Sequence, residues 1–171
     1  NPQRLYVWRY IKQQKIIMTQ LESQWIVGFV DGEGCFFIGI NKNSEMKLGF
    51  QVLPEFCVVQ HKRDQQILQA LKTFWGFGVV RKNHGDRLCY RVRGITHLNK
   101  TIIPFFEKHD LKTKKKIDFL KFRKVIQLIE KKQHLTIEGL LEIDAIRLKM
   151  NTGKLKKKLV LIDDQLHLVD I

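Results

Sequence analysis

The sequence predicts an α+β fold in which one antiparallel sheet is covered by helices on one face. Two observations carry this prediction. Segments with a helical spacing of apolar residues alternate with paired short segments rich in β-branched and aromatic residues, and a polar turn joins each pair. The order along the chain is helix, hairpin, helix, hairpin and then further helices, which favours a four-stranded sheet built from two hairpins.

Local signals place the elements in order along the chain. Thr19 and Glu22 form a capping box at the start of the first helix, and Gly76 closes the helix before the second hairpin. Pro54 indicates an edge position or a bulge within the second strand. The predicted elements are a helix over 20–32, strands over 35–40 and 46–60, a helix over 64–75, strands over 77–83 and 87–93, and helices over 96–108, 114–131 and 136–150.

The 171 residues fit one domain that can bury its own core. We expect an N-terminal extension with helical spacing over 1–18, a single domain over 19–151, and a C-terminal tail over 152–171. No apolar run approaches the roughly 20 residues needed to cross a bilayer, and no leader pattern is visible. We therefore expect a protein that is neither secreted nor embedded in a membrane.

The charge balance favours nucleic acid as the partner. Lys and Arg number 31 against 17 Asp and Glu, giving a formal net charge of +14, and such a field attracts polyanions. A ribosomal-type or simply basic protein remains open on charge alone. Cys35, Cys57 and Cys89 form no C-x-x-C pair, so the spacing indicates neither a zinc ribbon nor a disulfide framework.

The strand over 87–93 shows the clearest alternation in the chain. Leu88, Tyr90 and Val92 alternate with a cysteine and three arginines, so one face belongs to the core and the other is positive. An exposed antiparallel sheet that carries arginines can lie along a DNA major groove, although a solvated charged face gives the same pattern. The DNA-facing candidates are Asn41, Gln51, Arg81, Asn83, Arg87, Cys89, Arg91 and Arg93.

The segment IVGFVDGEG, residues 26–34, ends the first helix in an unusual way. Gly28 and Gly32 lie four residues apart on one helix face, although each costs about 1 kcal/mol relative to Ala. A second helix crossing at short distance would offset this cost, because missing side chains let two backbones approach. A weak helix end is the alternative. The face with Trp25, Gly28 and Gly32 is the predicted dimer interface.

Glu33 follows at the C-terminus of the same helix, where the exposed carbonyls disfavour a carboxylate by about 0.3–1 kcal/mol. If two such helices cross, two glutamates converge and require a cation, and a hard divalent ion with oxygen ligands fits this need. Such an ion can polarise a phosphodiester and lower the pKa of an attacking water. A solvated turn residue is the alternative interpretation of Glu33.

The segment 26–34 resembles the motif of the LAGLIDADG homing endonuclease family. Gly28, Asp31, Gly32, Glu33 and Gly34 match the motif positions used for helix crossing, the turn and the metal ligand, with Glu in place of the consensus Asp. The order of elements is similar to the αββαββα core of the family, with its saddle-shaped sheet. The resemblance spans roughly 20–151.

The resemblance also implies roles for residues outside the motif. FCVVQ at 56–60 resembles the strand end that carries an active-site glutamine, which implies Gln60. LKTK at 111–114 resembles the lysine-bearing loop, which implies Lys112 with Lys114 as the alternative. Asp31 is expected to fix the turn. The closing helix lies within 134–151, and the helical pattern continues through its GLLEIDA segment, so this is no second motif.

With one motif, the chain resembles the homodimeric branch of the family, whose members cleave palindromic or near-palindromic double-stranded DNA. The resemblance implies Mg²⁺ or Mn²⁺ at Glu33, phosphodiester hydrolysis in both strands, and a gene within an organellar intron, in a mitochondrion or chloroplast. An intron maturase that binds RNA without cutting DNA is the alternative. A transcription regulator on the same sheet would not need an acidic residue at 33, and a generic basic RNA-binding protein predicts none of this pattern.

Overall fold

The computed structural model describes residues 20–151 and 157–171, so the helix predicted within 1–18 and the capping residue Thr19 lie outside the described residues. The helices are α1 (Ser23–Glu33), α2 (Gln65–Trp75), α3 (95–108), α4 (Lys115–Glu130) and α5 (Ile137–Leu148). The strands are β1 (Gly34–Lys42), β2 (Phe50–His61), β3 (Val79–Lys82), β4 (Arg87–Val92), β5 (Lys157–Ile162) and β6 (Gln165–Asp170).

The strands β1 to β4 form one antiparallel sheet in the order β1-β2-β4-β3. Each hairpin pairs with itself, and the two hairpins join through β2 and β4, where Phe56 pairs with Val92 and His61 with Arg87. This arrangement confirms the α+β prediction and its four-stranded sheet. Within the described residues, no helix is long and apolar enough to span a bilayer.

The core fills the space between one face of this sheet and the helices. Phe36 of β1 and Phe56 of β2 are fully buried and meet Phe106 of α3, while Phe36 also contacts Phe122 of α4. Each fully buried ring stabilises the fold by about 1.5–3 kcal/mol. Because successive side chains alternate across a strand, the neighbours of these phenylalanines point to the opposite, uncovered face.

The first hairpin differs from the prediction at its turn. β1 continues to Lys42, and β2 begins at Phe50 instead of 46. The side chain of Asn43 accepts a hydrogen bond from Glu45 N at 3.0 Å, and Asn43 N donates to Gly49 O at 2.8 Å. These hydrogen bonds keep residues 43–49 in the turn, so the second strand begins only after them. Pro54 occupies an edge as predicted, since β4 pairs with β2 only from Phe56 onwards.

The chain beyond 156 forms a hairpin, β5–β6, that the sequence did not predict. Leu159 is buried, and its amide donates to Oδ2 of the buried Asp144 of α5 at 2.8 Å. Arg147 Nε donates to the other carboxylate oxygen at 2.7 Å, and an Arg147 Nη donates to the Lys157 carbonyl. One buried carboxylate therefore ties this hairpin to α5.

Candidate functional site

Helix α1 presents a face that the residues described by the structure leave uncovered. Trp25 is 43% exposed and stacks on Phe29 with ring centroids 4.8 Å apart. A Cβ built at Gly28 or Gly32 would meet no atom within 4 Å, so the described part of the chain leaves these two positions open. The predicted interface residues Trp25, Gly28 and Gly32 thus share a surface that a second helix could approach closely.

Glu33 ends α1 with an exposed side chain, and the chain enters β1 at the next residue. A Cβ at Gly34 would lie 2.6 Å from Val30 Cγ1 and 2.9 Å from Val30 O. Any other residue at 34 would force the helix and strand apart. The last glycine of the motif is therefore a steric requirement of the helix-to-strand junction that sets the position of Glu33.

Asp31 binds the loop before α4 to the end of α1. Its carboxylate accepts hydrogen bonds from Lys112 N at 2.7 Å, Thr113 N at 3.2 Å and Thr113 Oγ1 at 2.8 Å. Burial opposes ionisation, but these hydrogen bonds and the nearby Lys115 ammonium lower the pKa of Asp31 below its ordinary value. Asp31 thus holds the loop before α4 against the end of α1.

Lys115 approaches the end of α1 through its side chain. Its Nζ donates to Gly34 O, the carbonyl that follows Glu33. Lys112 and Lys114, the two lysines implied by the resemblance, are exposed in the loop. Sequence reasoning missed Lys115 because it is the middle of three consecutive lysines, and only the start of α4 at this residue shows which of the three turns toward the motif.

Gln60 lies at the same end of the sheet as Glu33. Gly34 pairs with Val58, so Gln60 stands two residues beyond this pair, toward the C-terminus of α1. Its side chain is half-buried, and Oε1 accepts from His61 N at 3.3 Å. The fold therefore brings Glu33, Gln60 and Lys115 to one end of the sheet.

The oxygen donors at this end of the sheet suit a hard divalent ion that takes its remaining ligands from other oxygen-bearing groups. Within 20–151 and 157–171, no group of three His, Cys, Asp or Glu side chains could hold a metal ion. Mg²⁺ commonly takes one or two protein carboxylates and completes its octahedral shell with water and phosphate oxygens. The exposed carboxylate of Glu33 fits that requirement as one half of a site.

The predicted DNA-facing residues lie on the uncovered face of the sheet or at its turn. The register pairs Asn41 with Gln51 and Arg81 with Cys89 across neighbouring strands. Most of these positions are exposed or half-exposed, namely Asn41, Gln51, Arg81, Asn83, Arg87, Arg91 and Arg93. Cys89 is only 1% exposed, and its thiol donates to Tyr90 O, so it offers the least surface to a ligand.

The three cysteines meet on this face, and none of them forms a disulfide bond. Cys35 pairs with Cys57 across β1 and β2. Hydrogen bonds with the Cys35 and Cys89 side chains raise the pKa of the Cys57 thiol, as does its burial. Such a thiol stays protonated and unreactive at neutral pH.

A buried carboxylate lies between two of the arginines. Glu55 of β2 is 7% exposed, and its Oε2 is 3.0 Å from Arg91 Nε and 2.6 Å from Arg93 Nε. Sequence reasoning missed Glu55 because the register between β2 and β4 creates the cluster. The alternation of β2, with Phe56 and Val58 facing the core, was the available signal that Glu55 shares the arginine face.

Solved structures share the fold of this chain, in which helices cover one face of a four-stranded antiparallel sheet. The crystal structure of the homing endonuclease I-TnaI is 56% identical, with a TM-score of 0.77, over 80% of this chain and 92% of that chain. I-SmaMI bound to an uncleaved DNA target in the presence of calcium ions is 39% identical, with a TM-score of 0.76, over 79% of this chain and 46% of that chain.

The chain belongs to the LAGLIDADG endonuclease family. The family's sequence model, described as LAGLIDADG endonuclease, matches residues 26–126. Among curated proteins, the probable intron-encoded endonuclease 2 of Neurospora crassa is 36% identical over 139 residues, which are 80% of this chain and 31% of that protein. The chain spans about a quarter to a third of the length of the curated relatives it matches first.

Proposed function

We propose that this chain is one half of a site-specific homing endonuclease. As a homodimer, it would cleave both strands of a long palindromic or near-palindromic DNA site by divalent-metal-dependent phosphodiester hydrolysis. The observation that carries the proposal is the exposed Glu33 at the end of α1, beside the uncovered glycine face. One chain supplies one such carboxylate and a duplex has two strands, so a symmetric pair accounts for both cuts.

The homodimer proposal rests on the face with Trp25, Gly28 and Gly32. Burying a 43% exposed tryptophan that stacks on Phe29 removes a large apolar surface from water. The two glycines allow the helix axes to approach closely at the crossing point. A two-fold axis through this point would bring the two Glu33 residues together beside the DNA backbone.

Glu33 would hold Mg²⁺ or Mn²⁺, and the bound ion supplies Lewis acidity to the phosphodiester and an acidified water. The Gln60 amide would orient the attacking water. An ammonium group would stabilise the charge that develops on the phosphate: Lys112 remains our first candidate and Lys114 its alternative, and Lys115 joins them because of its contact with Gly34 O. The arginines and amides of the open face would contact double-stranded DNA.

The decisive experiment compares Glu33→Gln with Glu22→Gln in cleavage and binding of the intron-less host allele, with and without Mg²⁺. Glu22 is an exposed carboxylate at the other end of α1, so its variant makes the same chemical change away from the site. We expect Glu33→Gln to abolish cutting and retain binding, and Glu22→Gln to keep both. Metal-dependent cutting by Glu33→Gln would remove Glu33 from this role.

An intron maturase is the second candidate function: relatives of this chain are named probable intron-encoded endonucleases, and a protein encoded within an intron can also bind the RNA of that intron. The same names support our proposal that the gene lies within an organellar intron. A maturase would bind its intron RNA tightly and leave the duplex DNA of the same locus intact. Measuring both activities on one preparation separates the two candidates.

A further inference from the structure

We propose that Glu55 is a positioning residue that aims Arg93 at one guanine of the DNA target and so determines specificity at that base pair. The inference rests on the proposed function, because it assumes that the uncovered face of the sheet meets DNA. Glu55 is a carboxylate buried among cations on that face. Without such a positioning role, an acidic side chain there would only oppose the binding of a polyanion.

The first support is the geometry of the ion pairs. Arg93 Nε donates a hydrogen bond to Glu55 Oε2 at 2.6 Å. Arg91 Nε lies 3.0 Å from the same oxygen as an ion pair, but without the angle of a hydrogen bond. Arg93 is therefore the arginine whose orientation Glu55 fixes, and Arg91 adds a second positive charge that keeps the carboxylate in place.

The second support is the part of the guanidinium that remains available. Arg93 Nε donates to Glu55, so the end-on edge of the guanidinium, which carries one N–H from each of its two Nη groups, is not used by this hydrogen bond. These Nη groups form the fork that makes bidentate contacts with O6 and N7 of guanine. The Arg93 side chain is 51% exposed whereas that of Arg91 is 20% exposed, so Arg93 is the one that can reach a base edge.

The third support is conformational. A free arginine side chain loses about 2 kcal/mol of rotamer entropy when it is fixed, and an arginine already held by a buried carboxylate has lost much of that freedom before DNA arrives. Pre-organisation of this kind favours the base contact over loose phosphate contacts. Because Glu55 is itself covered by the arginines, its charge is partly shielded from the phosphates.

The test is selection from a randomised duplex library by the full chain and four variants. Arg93→Ala should lose a guanine preference at one position of each half-site. Glu55→Gln should lose the same preference by about ten-fold, with the other positions unchanged and the affinity for an unrelated duplex unchanged or increased. The matched control is Asp86→Asn, which removes an exposed carboxylate that pairs with Lys62 at 2.9 Å in the turn after β3; its base preferences should equal those of the original chain.

The Glu55→Asp variant tests whether the loss of preference in Glu55→Gln comes from a change in folding. It keeps the charge beside the arginines but withdraws the oxygens by one methylene, and it should show the same loss at the same position. A Glu55→Gln profile identical to the original, or weakened evenly at every position, overturns the inference while leaving the proposed function intact. If the original chain selects no sequence at all, the proposed function fails and the inference fails with it.

Discussion

Replacing Gly28 by Ala should make the single chain more stable and the pair of chains weaker. Gly28 lies within α1, where a glycine costs about 1 kcal/mol relative to alanine. The added methyl group would meet no atom within 4 Å among the residues that the structure describes. No clash with those residues opposes the gain in helix propensity, so we expect about 0.5–1 kcal/mol of added stability, or about 1–4 °C in Tm.

The same methyl group should have the opposite effect on association. If two α1 helices cross at Gly28, both copies carry the methyl group into the crossing point. Overpacking of a close contact costs about 1–3 kcal/mol, which corresponds to roughly a five- to 150-fold weaker dimer. The dissociation constant is measured by sedimentation over a concentration series, and unfolding is followed at concentrations where the single chain dominates.

Gly139→Ala is the matched control for steric contact. A Cβ at Gly139 of α5 would lie 2.1 Å from Gln133 O, so this variant should destabilise the single chain itself. A Gly28→Ala protein that associates as tightly as the original would refute the helix-crossing argument. Loss of association together with loss of single-chain stability would show that the methyl group acts on the fold instead.

Three further predictions concern the site and its supports. Asp31→Ala removes three hydrogen bonds from a charged acceptor and should lower the free energy of unfolding at pH 7 by about 2–3 kcal/mol. Folding lowers the pKa of Asp31 below its ordinary 3.8, so the contribution of Asp31 to stability is complete above that value and is lost as the pH falls through the folded pKa. Urea titrations of Asp31→Ala, and of the milder variant Thr113→Val, at pH 7 and pH 3 check this. An equal loss of stability at both pH values would contradict it. Asp144→Ala removes the carboxylate that accepts from Arg147 Nε and from the Leu159 amide, so we expect a loss of about 3–5 kcal/mol in the free energy of unfolding and rapid hydrogen exchange in β5–β6; unchanged protection there would disprove the tie to α5. Lys115→Met should lower the cleavage rate by about 10²-fold or more with DNA binding retained, and an unaffected rate would exclude Lys115 from the chemistry.

The sheet and most helices were predictable because their signals are local. The strand over 87–93 alternates residue by residue, and Gly76 ends α2 in the left-handed conformation with a φ of 76°. The start of β2 was placed four residues too early, since Met46, Leu48 and Phe50 alternate with Lys47 and Gly49 at the period of a strand. The hydrogen bonds of Asn43 keep residues 46–49 in the turn, and the strand propensity of these residues does not take such hydrogen bonds into account.

The elements that were missed depend on partners far away in the sequence. The β5–β6 hairpin is held by Asp144, which lies 15 residues before Leu159, and a short lysine-rich segment gives no sign of that contact. Glu33 could be proposed from the sequence because glycines flank it in an unusual pattern. The alternation of β2 places Glu55 on the arginine face, but its pairing with Arg91 and Arg93 follows only from the position of β2 beside β4.

The tip of the first hairpin is a two-stranded ribbon, because residues 50–55 of β2 pair with β1 alone. Ribbons of this kind twist more strongly than the centre of a sheet. The β5–β6 turn lies beside this ribbon, and the two line a shared cleft of about 490 Å³ between Lys42–Phe50 and Asp164–Leu166. A shortened chain that stopped at residue 126, where the family match ends, would lose α5 and the β5–β6 hairpin, and with them the buried Leu140, Ile143 and Leu159. Engineering for a minimal size should therefore trim elsewhere and keep the chain through residue 170.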